Sequence, residues 1–193
     1  MPFVPRLNKN GMFNDPVWYS DNPFYNTAGH EWGLPNCTCY AWGRAWETNG
    51  GDPLYRPTFS TGDAGQWYGY TADGYSRGST PQLGSVICFS HSGGGMGHVA
   101  VVEEINGSQI LTSNSAYHGS YSVPPEIIDK SDPSIVNYTD YFYLQTLNPP
   151  YSFGQYVFQG FIYYPAGGST PAGQGKFKPW MAKRIMDIKR GYY

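Results

Sequence analysis

"GHVAVVEEINGSQILTSNSA", residues 97–116, sets two β-branched runs on either side of Asn106-Gly107. Asn-Gly accepts the positive φ angles that a tight two-residue turn demands, so the pattern predicts an antiparallel hairpin with strands over 97–105 and 108–116. Side chains alternate along a strand, which places Val99, Val101 and Glu103 on one face and His98, Ala100 and Val102 on the other. Pairing about a turn centred between Asn106 and Gly107 sets the partner of His98 near 115. Asn114 or Ser113 then comes beside the imidazole, and an amide oxygen there can accept its N–H.

Three further runs are strand-like in composition: "GSVICF" (84–89), "YTDYFYLQ" (138–145) and "YVFQGFIYYP" (156–165). Upstream, "PNCTCYAWGRAWETNGG" (35–51) predicts a helix. Asn36 after Pro35 offers an N-cap, residues 37–48 lack Pro, and Asn49-Gly50-Gly51 supplies a stop. Ala41 and Ala45 give that helix a small-residue flank, and Trp42 and Trp46 form a stripe expected to enter the core. "GDAGQWYGY" (62–70) suggests a second, short helix with Asp63 as cap and Trp67 as anchor. A helix followed by an antiparallel sheet is an α+β arrangement.

A chain of 193 residues is the size of one domain that can bury a core without staples. With 25 Gly, 16 Pro, 18 Tyr and only 13% charged residues, it is turn-rich and strand-rich. Residues 1–19 have the composition of an extended arm, 20–165 of the domain, 166–175 ("AGGSTPAGQG") of a linker, and 176–193 of a basic tail. Six of the 12 Lys+Arg lie between Lys176 and Arg190. The formal charge of −2 gives no electrostatic basis for nucleic acid as a partner. The amino terminus has no signal-peptide pattern, and no run approaches the ~18 apolar residues of a membrane span. Three cysteines cannot all pair, and Cys37 and Cys39 are too close for an unstrained bridge, so free thiols are expected.

Cys37 is the residue that points to chemistry. A thiol in the first turn of a helix faces unpaired N–H groups and the positive end of the helix dipole, both of which favour thiolate. Such a nucleophile needs a base, and the base needs an orienting group. His98 is the candidate base because it opens a strand; Asn114 is the candidate orienter, with Ser113 in reserve. Cys39 and Cys88 are expected to be packing residues, and His30, His91 and His118 to make surface or loop hydrogen bonds. Cys88, His91 and His98 can be drawn as a zinc cluster, but a fourth ligand and a metal-type spacing are missing. No metal and no cofactor is expected.

In order, "PNCTCYAWGRAWE", "GDAGQW", "TPQLGSVICF", "GHVAVVEEI" and "TSNSAY" resemble the CHAP family (cysteine, histidine-dependent amidohydrolase/peptidase), especially its bacteriophage lysins. The resemblance spans about residues 20–165. It implies a papain-like fold, cleavage of an amide bond of peptidoglycan, Cys37 as nucleophile and His98 as base. Many members carry Glu where this chain offers Asn114, and the paired carboxylates of calcium-binding members are missing from "SDNPFYN". The oxyanion would be held by the Cys37 N–H, with Asn36 as a side-chain candidate. The implied setting is a phage endolysin passing from host cytoplasm to the wall, or a lysin of the virion tail. The alternative is a tail-tip structural or wall-binding protein that uses the fold for docking, with phage tail proteins as partners through the arm or the basic tail. Neither setting involves stable membrane insertion.

Overall fold

Asn36 turns an irregular approach into helix α1 (Cys37–Glu47). Its backbone is extended, and its Oδ1 accepts from the Thr38 N–H at 2.9 Å and the Thr38 hydroxyl at 2.7 Å. A first-turn donor is thereby satisfied, as at most helix starts. The computed structural model describes residues 2–8, 16–27, 30–117 and 141–165. The expected linker, the basic tail and His118 lie outside the described residues, and none of the described helices is long and apolar enough to cross a membrane.

Every residue of α1 from Cys37 to Trp46 is buried, so the helix is a central rod and not a surface element. Gly43 allows this. A Cβ there would lie 2.6 Å from Cε3 of Trp18, so the missing side chain is what lets the 3-10 turn Pro16–Trp18 lie flat on the helix. Trp18 is fully buried and stacks on Tyr40 with centroids 5.4 Å apart. Buried Asn22 joins this segment to α1 by donating from Nδ2 to the carbonyls of Val17 and Cys39, at 3.0 Å each. Val17, Trp18, Tyr19, Phe24 and Tyr25 therefore share one core with the helix. Trp42 and Trp46 meet edge to face at 5.2 Å under the Arg56 guanidinium.

The sheet comprises β1 (Ser76–Gly78), β2 (Val86–His91), β3 (His98–Asn106), β4 (Gln109–Asn114), β5 (Tyr143–Leu147) and β6 (Tyr156–Tyr163). Its order is β1-β6-β2-β3-β4-β5, with every pair antiparallel. Val86, Cys88, Val99, Val101 and Ile162 share the α1 core, while Ile87, Phe89, Ala100, Val102, Ile110 and Phe161 form a second cluster. The fold is α+β, with the helix against one face of an antiparallel sheet.

Several details differ from expectation. Asn106 pairs with Gln109, so the hairpin loop is Gly107-Ser108, one step later than the sequence suggests; Gly107 supplies φ 62° at the first loop position. A β-bulge between Val102 and Glu104 then shifts the register again. Glu103, at the bulge, is fully buried. Its carboxylate accepts from Arg44 Nε and Nη2 at 2.8 Å each, Ser113 Oγ at 2.6 Å and the Arg6 backbone N–H at 2.8 Å. Residues 138–140 of the expected fourth strand lie outside the described residues, and β5 occupies 143–147. Strand β1, three residues long, carries no strand pattern in the sequence. Asp63 makes no side-chain cap to the 3-10 turn Ala64–Gln66, but Trp67 is the anchor expected, lying against Phe59 and Phe24.

Candidate active site

Three strands of evidence locate Cys37. It is the first residue of α1, it is 8% exposed, and its Sγ is approached by the backbone N–H groups of Val99, Thr38 and Cys37 itself. Those N–H groups lower the thiol pKa, as a helix start should. Burial acts against them and is the larger effect, pushing the thiol up to about 11. The expectation of a resting thiolate is therefore corrected: desolvation outweighs the helix terminus, and Cys37 rests as a neutral thiol.

His98 begins β3, one peptide before the Val99 amide that meets the thiol. Its Nε2 lies 2.9 Å from Asn114 Oδ1, and both side chains are buried. Because an amide oxygen can only accept, Nε2 carries the proton and Nδ1 holds the free lone pair. Burial lowers the imidazole pKa, and the hydrogen bond to Asn114 offsets part of that. Three rings enclose it: Tyr156 at 5.4 Å, Phe89 at 6.1 Å and Phe153 at 6.3 Å between centroids. Tyr156 also lies within electrostatic reach of Cys37; its hydroxyl is raised by burial first and by that thiol second.

The strand register decides which neighbour serves His98. Asn114 and Thr112 occupy one face of β4, and Ser113 the other, where its hydroxyl donates to Glu103. Ser113 is not brought to His98. Asn36 lies beside Cys37, with its Oδ1 committed to capping α1.

A cleft of about 390 Å³ opens over Cys37, with Asn36, Asp63, Met96, Trp32 and Tyr117 also in its walls. Trp32 and Tyr117 are partly exposed and stack with centroids 5.6 Å apart. Gly97 sets one wall. Its φ is 78°, and a Cβ there would lie 2.5 Å from both Gly65 N and Phe89 O. That close approach lets Gly65 N–H donate to Met96 O at 2.7 Å and holds the Gly62–Gly65 segment against the start of β3.

The remaining candidates have structural surroundings. Cys39 and Cys88 are free, wholly buried thiols, each near a backbone carbonyl. His91 Nδ1 accepts from the Gly93 and Gly95 N–H groups at 3.1 and 3.2 Å, which organises the glycine loop before His98. His30 stacks on Tyr25 at 3.9 Å. Among the described residues no three His, Cys, Asp or Glu side chains converge as for a metal ion, so the drawn zinc cluster is not assembled. Sequence reasoning missed the enclosure of His98 by Phe153 and Tyr156. The signal was present in "SFGQY", where two aromatics flank Gly154-Gln155 and form a bridge of mutual backbone hydrogen bonds.

A cysteine at a helix start, a histidine at a strand start and an amide oxygen on that histidine are the parts of a thiol-dependent amide hydrolase. Residues 25–116 match the family model described as the CHAP domain, a segment that contains all three side chains. CHAP domains are cysteine- and histidine-dependent amidohydrolases or peptidases that act on peptidoglycan, and it is this domain that residues 25–116 match.

Proposed function

We propose that this protein is a bacteriophage lysin that cuts an amide bond of cell-wall peptides, as an N-acetylmuramoyl-L-alanine amidase or a cross-bridge endopeptidase. Cys37 is its nucleophile, His98 its base and Asn114 its orienter. The observation that carries the reading is the 2.9 Å contact of His98 Nε2 with Asn114 Oδ1, on the strand whose next backbone amide, Val99, approaches the Cys37 thiol. With the thiol raised and the imidazole lowered, the pair starts neutral. Sγ attacks the scissile carbonyl as His98 Nδ1 takes its proton. The same nitrogen then protonates the departing amine, leaving a thioester that water hydrolyses with His98 again as base. The Cys37 N–H and the Asn36 Nδ2 are the donors available to the developing oxyanion. Trp32, Tyr117 and Met96 supply an apolar wall for substrate. The site of action is the wall, reached either from the host cytoplasm or from a virion tail.

The test is mass spectrometry of fragments released from Gram-positive peptidoglycan by the full chain. New amino termini identify the bond, and Cys37→Ala is expected to abolish release. Full release by that variant overturns the reading.

A further inference from the structure

We infer that Thr112 is a positioning residue that dictates which nitrogen of His98 carries the proton; this deepens the hydrolase reading and rests on it for its catalytic consequence. A carboxamide is nearly symmetric in shape, so nothing in the Asn114 side chain itself decides whether oxygen or nitrogen faces His98. The decision comes from behind. Asn114 Nδ2 lies 3.0 Å from Thr112 Oγ1 and 3.3 Å from the Thr112 carbonyl oxygen. The Thr112 hydroxyl has one proton, and it donates that proton to the Gln145 carbonyl at 3.0 Å. A main-chain carbonyl can only accept, so the direction of the hydroxyl is fixed. What the hydroxyl then presents to Asn114 is lone pairs.

The sequence of constraints runs from β5 to the imidazole. Thr112 and Gln145 are paired across β4 and β5, which holds donor and acceptor in register. Thr112 and Asn114 are two apart on one strand, share a face and are both fully buried, with no water to rescue a wrong orientation. Reversing the amide would set Oδ1 against two acceptor oxygens, the hydroxyl and the carbonyl of Thr112. An unpaired or opposed buried polar group costs about 1–3 kcal/mol. The amide therefore faces His98 with Oδ1, His98 is protonated at Nε2, and Nδ1 is left free to accept. Removing the Thr112 hydroxyl removes one of the two acceptors that hold Nδ2 among the described residues, and the one supplied by a side chain.

The experiment follows His98 by two-bond proton–nitrogen NMR correlation in the full chain, alongside clearing of a peptidoglycan suspension. Wild type is expected to hold a single Nε2–H tautomer, an outcome that needs no substrate; a wild-type Nδ1–H tautomer overturns the inference even if no variant folds. Thr112→Val is expected to populate the Nδ1–H form and to slow clearing by about tenfold, part of the ~10²–10⁴-fold that general acid–base transfer contributes. Thr112→Ser is expected to restore both. A Thr112→Val protein that keeps the Nε2–H tautomer, whatever its melting temperature, assigns Thr112 a merely structural role and overturns the inference. If wild type clears no peptidoglycan while the tautomer responds as stated, the hydrolase reading fails and the assignment to Thr112 stands.

Discussion

At the scale of single residues, the thiol at 37 is governed by two opposed effects of comparable origin. Helix-start N–H groups and the Val99 amide favour its anion; removal from water disfavours it and prevails, placing the thiol near 11. Alkylation by iodoacetamide follows thiolate, so its rate at Cys37 is expected to climb with pH and show no plateau until pH approaches 11. Peptide mapping should find the label there and not at Cys39 or Cys88, both at 0% exposure. A plateau near neutrality would reveal a resting ion pair and sink the neutral-pair mechanism. Position 37 and its helix-start setting were legible in the sequence because capping is local. The sign of the pKa shift was not, because desolvation is contributed by residues distant along the chain.

Elements bring such residues together. For α1, propensity and packing make opposite forecasts at Gly43. Alanine is the better helix former by about 1 kcal/mol. Its Cβ, however, would sit 2.6 Å from the Trp18 ring, and overpacking costs about 1–3 kcal/mol. Gly43→Ala is therefore expected to lower stability by about 1 kcal/mol in urea unfolding; a stabilised variant would mean that Trp18 can shift freely. In the β3–β4 hairpin, the alternation of faces could be read from the pattern, and it selects Asn114 over Ser113 once the register is known. The register itself depends on a loop displaced by one residue and on a bulge at Glu103. The buried carboxylate that meets Arg44 of α1 lies at that bulge, and no local pattern announces it. The ring enclosure of His98 was hidden for a related reason: Phe153 and Tyr156 come from a distant segment of the chain.

On the scale of the whole molecule, buried charge and buried titration sites set the limits of stability. Glu103→Gln would leave Arg44 buried with one carboxylate partner, Glu47, instead of two. Breaking a buried pair from one side costs about 3–5 kcal/mol, so a loss of about 3 kcal/mol is expected by denaturant unfolding; a change below about 1 kcal/mol would show that solvent reaches the network. The pH dependence follows from two shifts. The unfolded chain protonates its histidine at 98 near pH 6.5, ahead of the folded chain, so it binds more protons and stability falls as pH drops below that value. The unfolded thiol at 37 ionises near 9.0, the folded one at about 11, so the folded state binds more protons in between and stability falls as pH rises. Cys39 and Cys88 are raised too and add to the alkaline loss. Unfolding free energy is expected to peak between about 6.5 and 9.0, and a maximum outside that window contradicts the assignment.

Strand β6 occupies the place between β1 and β2, although it is the last strand described. During synthesis the ribosome therefore releases the cysteine, the histidine and the asparagine well before the strand that seals β2. Until Tyr156–Tyr163 arrives, β2 presents an open edge rich in Ile, Val and Phe, a surface on which nascent chains can pair with one another. A fragment cut at the limits of the family match would thus retain Cys37, His98 and Asn114 on a sheet that lacks β5 and β6.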